Sequence, residues 1–185
     1  MSAPPIRRIA ICTGGGDAPG LNAVIRAVVL ASGRRGWECY GIRDGFNGIL
    51  FPERYVDGGV VRLTRDKVRN IGHLGGTVIG TTNRGNPFHF PTRMPDGSVG
   101  ETDRSNEILS FFAQREIDAL VSVGGDGSLT IANALHQKGL RVVGVPKTID
   151  NDLDKTMTTF GFDTAVAFAT ECIDRLHSTA DSHQR

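Results

Sequence analysis

The segment from Gly124 to Ser128, which reads Gly-Gly-Asp-Gly-Ser, has the residue types that phosphoryl chemistry requires. Backbone N–H groups of Gly125, Gly127 and Ser128 can surround an anion, and the carboxylate of Asp126 offers a hard oxygen ligand. Mg²⁺ prefers one or two carboxylates together with phosphate oxygens. An aspartate that only capped a helix would not need three neighbouring glycines. The segment therefore predicts a magnesium-dependent phosphoryl-transfer site.

A second glycine-rich loop, Gly14 to Gly20, follows the apolar run from Arg8 to Thr13. Glycines between a strand and a helix let backbone N–H groups approach phosphate oxygens, and the helix N-terminus adds partial positive charge. The alternative is a tight turn in which Asp17 caps the following helix. The loop has neither the Gly-Lys-Ser/Thr of a Walker A motif nor the GxGxxG dinucleotide pattern.

A third segment, Pro146 to Asp152, contains two carboxylates, a lysine and a hydroxyl. A carboxylate can accept the proton of a hydroxyl that attacks phosphorus, and a lysine can offset charge on the transferring group. Taken alone, the segment is more typical of a solvated turn rich in Asp and Asn, but its position beside the other two loops favours a role in catalysis. Its candidate residues are Lys147, Thr148, Asp150 and Asp152.

These loops are separated by elements that alternate between strand and helix periodicity. Strands are predicted at 8–13, 37–42, 119–123 and 141–145, and helices after Gly20 and at 105–115, 128–138 and 163–177. Ligands bind outside the carboxyl ends of the strands in an open parallel sheet, so the three loops should meet at one edge. The predicted fold class is α/β, a Rossmann-like parallel sheet flanked by helices.

The sequence also predicts the structure of two further regions, residues 44–100 and the last helix. Glycines and prolines between residues 44 and 100 predict an irregular surface insertion with one short helix near Asp66–Ile71. In the last helix Asp163 is the predicted N-cap. Val166, Ile173 and Leu176 recur at helical spacing there, so they are expected to face the core.

Composition and charge exclude several classes of protein. The hydrophobic fraction is 39% and the formal net charge is +1, with mixed signs along the chain. These values predict a globular protein that binds neither nucleic acid nor membrane. The three cysteines lack CxxC spacing, which indicates a reducing, cytoplasmic setting rather than disulfides or zinc. No apolar run has the length of a signal peptide or a transmembrane helix.

Four segments together resemble the phosphofructokinase family. In order along the chain they are Gly15–Asn22, Gly124–Ser128, Pro146–Asp152 and Ser182–Arg185. The resemblance covers essentially the whole chain. It implies phosphoryl transfer to the 1-hydroxyl of fructose 6-phosphate, which gives fructose 1,6-bisphosphate in glycolysis.

The same resemblance implies a two-domain protein. Residues 1–185 correspond to the N-terminal, donor-binding domain, and the domain that supplies most of the sugar-phosphate pocket has no counterpart among them. We therefore expect this stretch alone to be inactive or weak. Arg185 matches a family arginine that binds the sugar phosphate of a neighbouring subunit, which implies a homo-oligomer, either a dimer or a tetramer.

Residue roles follow from the matched motifs. Asp150 is implied as the general base, and Thr148 and Lys147 as residues at the transferring or sugar phosphate. Asp126 and Asp152 are implied to govern Mg²⁺. The residues implied to contact the donor are Gly15, Gly16, Arg84, Gly125, Asp126, Gly127 and Ser128.

The donor is either ATP or diphosphate in this family, and two positions bear on the choice. Gly127 leaves room for the inner phosphate of a nucleotide, whereas an aspartate there would fill that space and repel negative charge. Lys147 is compatible with both donors. The sequence therefore favours ATP with Mg²⁺ and keeps diphosphate as the alternative.

Two other functions remain open. One is a non-catalytic nucleotide-binding module. The other is a kinase with a different acceptor, because Gly-Gly-Asp-Gly also occurs in NAD kinases and diacylglycerol kinases. Pro146–Asp152 and Ser182–Arg185 favour the phosphofructokinase assignment, since both belong to that family's pattern as a set.

Overall fold

The computed structural model describes residues 5–184, in which strands and helices alternate. The elements in chain order are β1 (Arg8–Thr13), α1 (Leu21–Arg34), β2 (Glu38–Ile42), α2 (Asn47–Leu50), a 3-10 turn (Pro52–Arg54), β3 (Val60–Leu63), β4 (Phe90–Arg93), β5 (Val99–Thr102), α3 (Ser105–Gln114), β6 (Ala119–Gly124), α4 (Asp126–Gln137), β7 (Val142–Thr148), β8 (Phe160–Gly161) and α5 (Phe162–Ser182).

The main sheet has six strands in the order β3-β2-β1-β6-β7-β8. Strand β1 pairs in parallel with β2 and β6, and the parallel pairing continues through β7 to β8. Only β3, at the opposite edge, is antiparallel to its neighbour. Strands β4 and β5 form a separate hairpin. The predicted α/β class is therefore confirmed as a mainly parallel sheet flanked by helices.

Side chains of β1 alternate between two cores because successive residues of a strand point to opposite faces. Ile9 and Ile11 pack with α1 on one face, whereas Ala10 and Cys12 pack with α3 and α4 on the other. The helices therefore cover both faces of the central strands. This arrangement leaves the carboxyl ends of β1, β6 and β7 to carry the site.

The stretch between residues 44 and 100 was predicted to be an irregular surface insertion, but part of it belongs to the sheet and to the core. It contributes β3 to the main sheet and places Val68, Ile71 and Ile79 in the core. The helix predicted at Asp66–Ile71 is wrong, because turns occupy those positions. Asn70 has φ of 60°, which lies outside the right-handed helical region and interrupts a helix there.

Helix α5 also departs from its prediction. Its N-cap is Gly161, with φ of 110°, so Asp163 lies in the first turn instead of capping it. Val166, Ile173 and Leu176 are 48%, 63% and 67% exposed, so the expectation that they face the core is wrong. Helical spacing identifies an apolar stripe but carries no information about what covers it.

Within residues 5–184, every helix is too short or too polar to cross a bilayer.

Candidate active site

A cavity of about 570 Å³ lies where β1, β6 and β7 end. All three loops identified in the sequence line it, together with the segment from Thr82 to Asn86. The predicted site residues on its wall are Gly15, Gly16, Arg84, Gly125, Asp126, Gly127, Ser128, Lys147, Thr148 and Asp150. Residues from four separate segments thus share one cavity, and their individual roles stay predictions.

Two predicted site residues are not among those that line the cavity. Asp152 is exposed and lies outside the lining of the cavity, two residues beyond Asp150. Arg185 lies outside the described residues. Asp126 and Asp150 therefore line the same cavity, and the role of Asp126 and Asp152 at Mg²⁺ stays a prediction.

The loops that begin at Gly14 and Gly124 lie in close contact. This contact explains why both positions are occupied by glycine. The N–H of Gly14 donates to the carbonyl of Val123 at 2.9 Å. A Cβ at Gly14 would lie 2.6 Å from Ser128 Oγ, and one at Gly124 would lie 3.0 Å from Gly14 O. Atoms do not approach so closely without a shift, so any side chain at Gly14 or Gly124 would push the loops apart.

Gly127 has a different environment. A Cβ built there meets no described heavy atom within 4 Å, and its φ is not in the left-handed region. Gly127 also lines the cavity. The packing of the loop therefore does not require a glycine at this position.

The second loop includes the start of α4. The helix has Gly125 as N-cap, and its first hydrogen bond is donated by Leu129 N to Gly125 O at 3.0 Å. The N–H groups of Asp126, Gly127 and Ser128 precede that bond and have no helical acceptor. They are directed out of the N-terminus, where the helix dipole favours an anion.

Lys147 connects the third loop with the first. It is 3% exposed, and its Nζ donates a hydrogen bond to the carbonyl of Gly16. Burial lowers the pKa of Lys147, and the carboxylate of Asp17 opposes that shift. A buried ammonium in contact with the first glycine loop can both hold that loop and attract an anion.

The carboxylate of Asp150 is exposed at the cavity wall. Thr148 Oγ1 donates to Asp150 Oδ2 at 3.2 Å and accepts from Asp150 N at 3.1 Å. The threonine hydroxyl therefore holds the aspartate from two sides. A carboxylate fixed in this way, whose Oδ1 has no partner among residues 5–184, suits proton acceptance from a bound hydroxyl.

Sequence reasoning missed the contacts that support the first loop. Thr81 Oγ1 donates to Gly15 O at 2.7 Å, and Gly15 N donates to Thr82 O at 2.9 Å. These bonds fix the glycine loop to the segment that carries Arg84. The only signal in the sequence is the hydroxyl pair Thr81-Thr82 directly before Asn83-Arg84.

Asn22 is a second omission. Its side chain is 2% exposed, donates to the carbonyls of Leu74 and Gly75 at 3.2 and 3.1 Å, and accepts from Val78 N at 2.9 Å. It thereby holds the turn that leads to Thr81. An asparagine among the apolar positions of α1 was a detectable signal, because a buried amide requires partners.

The cavity also has an apolar side, formed by Phe46, Ile131 and Cys12. Burial raises the pKa of the Cys12 thiol to about 12, so the thiol is neutral near pH 7 and is not a nucleophile. A cavity lined both by apolar side chains and by the amides at the start of α4 is suited to a ligand with both an apolar and an anionic part.

Known proteins with similar sequences have names that differ in the phosphoryl donor, either ATP or pyrophosphate. The family model for phosphofructokinase matches residues 8–185. The chain is 52% identical over 180 residues to ATP-dependent 6-phosphofructokinase 1 of Nostoc sp., covering 97% of this chain and 48% of that protein. It is 46% identical over 179 residues to the pyrophosphate--fructose 6-phosphate 1-phosphotransferase of Amycolatopsis mediterranei, covering 96% of this chain and 47% of that protein.

Solved structures agree with the sequence matches. The structure of phosphofructokinase from Saccharomyces cerevisiae superposes with a TM-score of 0.75 at 31% identity, covering 97% of this chain and 25% of that one. The chain spans about half the length of the curated relatives it matches. Since the family model extends over nearly every residue and the fold agrees, the chain belongs to the phosphofructokinase family.

Proposed function

We propose that the full-length protein transfers the terminal phosphoryl group of ATP to the 1-hydroxyl of fructose 6-phosphate, giving fructose 1,6-bisphosphate. Here the full-length protein means the natural polypeptide that contains these 185 residues. The observation that carries the proposal is the single cavity shared by Gly125–Ser128, Gly15–Gly16 and Lys147–Asp150. The names of the relatives support the activity, and this chain supplies the donor half of the site.

Donor binding rests on the amides at the start of α4 and on the first glycine loop. The N–H groups of Asp126, Gly127 and Ser128 face the donor phosphates, and Arg84 adds a positive charge on the same wall. The apolar side at Phe46 and Ile131 suits the base of a nucleotide, which diphosphate lacks. This feature favours ATP over diphosphate as donor.

Magnesium fits the site through the chemistry of its ligands. Among residues 5–184 there is no group of three or more His, Cys, Asp or Glu that could hold a metal by themselves. Mg²⁺ bound by one or two carboxylates and by substrate phosphates needs no such group. We assign the ion to Asp126, which lines the cavity, with Asp152, two residues beyond Asp150, as the second carboxylate. When bound, the ion neutralises charge on the donor phosphates.

In the proposed phosphoryl transfer, Asp150, Thr148 and Lys147 each have a separate role. Asp150 accepts the proton of the sugar hydroxyl as the hydroxyl oxygen attacks phosphorus. Thr148 orients Asp150 through the two hydrogen bonds described above. Lys147 remains in contact with Gly16 O and offsets charge on the phosphoryl group.

The experiment compares ATP with diphosphate as donor to fructose 6-phosphate in the full-length protein, with and without Gly127→Asp. We expect turnover with ATP and Mg²⁺, and at least a tenfold loss of ATP affinity in Gly127→Asp because its carboxylate enters the phosphate space. Gly33→Asp is the matched control, since Gly33 also has open space around its Cβ but lies in α1 away from the cavity.

The outcomes separate the alternatives. Turnover with diphosphate and not with ATP would make the donor assignment wrong. Binding of ATP without phosphoryl transfer would instead indicate a nucleotide-binding module. Robust sugar phosphorylation by residues 1–185 alone would refute the proposal that this chain carries only the donor half.

We also propose a cytoplasmic homo-oligomer, a dimer or a tetramer, that acts on fructose 6-phosphate. The support is the match of Arg185 to a family arginine that reaches a neighbouring subunit. Sedimentation of the full-length protein tests the assembly. An Arg185→Ala variant that keeps the wild-type KM for fructose 6-phosphate would contradict the role of this arginine.

A further inference from the structure

A pair of polar residues, Asn151 and Thr159, joins the two ends of the loop that carries Asp150. Thr159 is 2% exposed, and its Oγ1 donates to Thr148 O at 2.7 Å. Its N–H donates to Asn151 Oδ1 at 3.0 Å. Asn151 Nδ2 donates to Met157 O at 3.4 Å. We call these two residues the loop clip.

The backbone at Asn151 explains why its side chain takes part in the clip and not in the cavity. Asn151 has φ of 52°, in the left-handed region that asparagine tolerates better than most residues. The turn leaves Asp150 on the cavity wall, whereas Asn151 is not part of the lining. One residue of the segment is therefore directed to the ligand and the next is used to fix the loop.

Little else holds this loop in place. Strand β8 has two residues and pairs with Lys147 and Thr148 alone. Asp152, Asp154, Lys155, Met157 and Thr158 are exposed. A two-residue ladder is too short to order a flexible loop, because every ordered residue loses conformational entropy. The hydrogen bonds of the clip supply fixed points that the short strand lacks.

A continuous path of contacts leads from the clip to Asp150. Thr159 holds the carbonyl of Thr148, and the hydroxyl of Thr148 holds both the N–H and the carboxylate of Asp150. Displacement of Thr148 would therefore move the Asp150 carboxylate. A misplacement of about 1 Å in a reacting group can lower a rate by about a hundredfold.

We infer that Thr159 and Asn151 are positioning residues that hold Asp150 in the orientation needed to accept the proton of the sugar hydroxyl. The inference rests on the proposed function, in which Asp150 is the base. Neither residue touches the cavity, so each acts through the loop.

The test measures kcat and KM for Thr159→Val in the full-length protein, together with the affinity for Mg²⁺-ATP. Valine keeps the volume of threonine but cannot donate to Thr148 O. We expect kcat to fall by about tenfold to a hundredfold, with the ATP affinity within about twofold of wild type. Thr159→Ser, which restores the hydroxyl, should recover most of kcat. Thr158→Val is the control, because Thr158 is the neighbouring exposed threonine.

A second variant covers the case in which Thr159→Val does not fold. Asn151→Gly removes the side-chain bonds at a less buried position and fits the positive φ. It should show the same selective loss of kcat. A folded Asn151→Gly or Thr159→Val protein with wild-type kcat would overturn the inference, as would failure of Thr159→Ser to recover activity. If the wild-type protein transfers no phosphoryl group, the proposed function itself fails.

Discussion

Helices α4 and α5 both have an apolar stripe at helical spacing, yet only α4 buries it. In α4, Ala132 and Leu135 are 2% and 0% exposed. In α5 none of the described residues is buried, and Phe168 and Leu176 are each 67% exposed. The difference shows that a periodic pattern predicts a helix and its apolar face, whereas burial depends on which elements are present to cover that face.

The positions of the two helices in the sheet account for this contrast. Helix α4 packs between β6 and β7, and Leu135 joins a core that includes Leu120 and Leu140. Helix α5 follows the edge strand β8 and leaves the sheet. The region around α4 is thus stabilised by a closed core, while the face of α5 is open among residues 5–184.

The largest expected difference is in how much the free energy of unfolding falls when a leucine in each helix is replaced by alanine. Leu135→Ala should lower the free energy of unfolding by about 2–5 kcal/mol, because it removes buried methyl groups and leaves a cavity. Leu176→Ala should change it by less than about 0.5 kcal/mol. Urea denaturation of residues 1–185 measures both. A comparable loss in Leu176→Ala would show that something covers α5 in solution.

Two glycines of the segment Gly124–Ser128 should differ in how substitution by alanine changes the stability of the protein. Gly124→Ala should destabilise the protein by about 1–3 kcal/mol, since its Cβ would lie 2.7 Å from Ser128 Oγ and 3.0 Å from Gly14 O. Gly127→Ala lies in α4 with open space around its Cβ, so it should be neutral or stabilise by up to about 1 kcal/mol. Thermal unfolding of the two variants side by side measures this. Equal destabilisation would mean that the open space at Gly127 is not present in solution.

Much of the fold and of the candidate site could be predicted from local signals. Glycine clusters after apolar runs identified the loops at Gly14 and Gly125, and strand-helix alternation identified the parallel sheet that brings them together. The general rule that ligands bind at the carboxyl ends of such strands then grouped Asp126 with Asp150.

The features that were missed depend on contacts between distant segments. The partners of Asn22 lie more than 50 residues away, so no local pattern contains them. The exposure of Leu176 follows from the elements around α5 and not from its own spacing. The left-handed backbone at Asn151 is likewise not specified by composition.

The smallest expected difference is between two surface ion pairs, one in each region. Asp103 accepts from Lys138 Nζ at 3.0 Å and from Ser105 N at 2.8 Å, which ties the start of α3 to the end of α4. Glu171 pairs with Arg175 within α5. Asp103→Asn should lower Tm at pH 5 by about 1–3 °C, and Glu171→Gln by less than about 1 °C, because only the first pair links two elements.

The pH dependence of Asp103 sharpens this test. Hydrogen bonds from Ser105 lower the pKa of the Asp103 carboxyl to about 2, with a further contribution from Lys138. The folded-state pKa is thus below the unfolded one, so the stabilisation is fully present above the unfolded value of about 4 and disappears as the pH falls through about 2. The Tm difference between wild type and Asp103→Asn should therefore shrink from pH 5 to pH 2.5. A difference that stayed constant over this range would show that the carboxylate charge of Asp103 contributes nothing to the contact between α3 and α4.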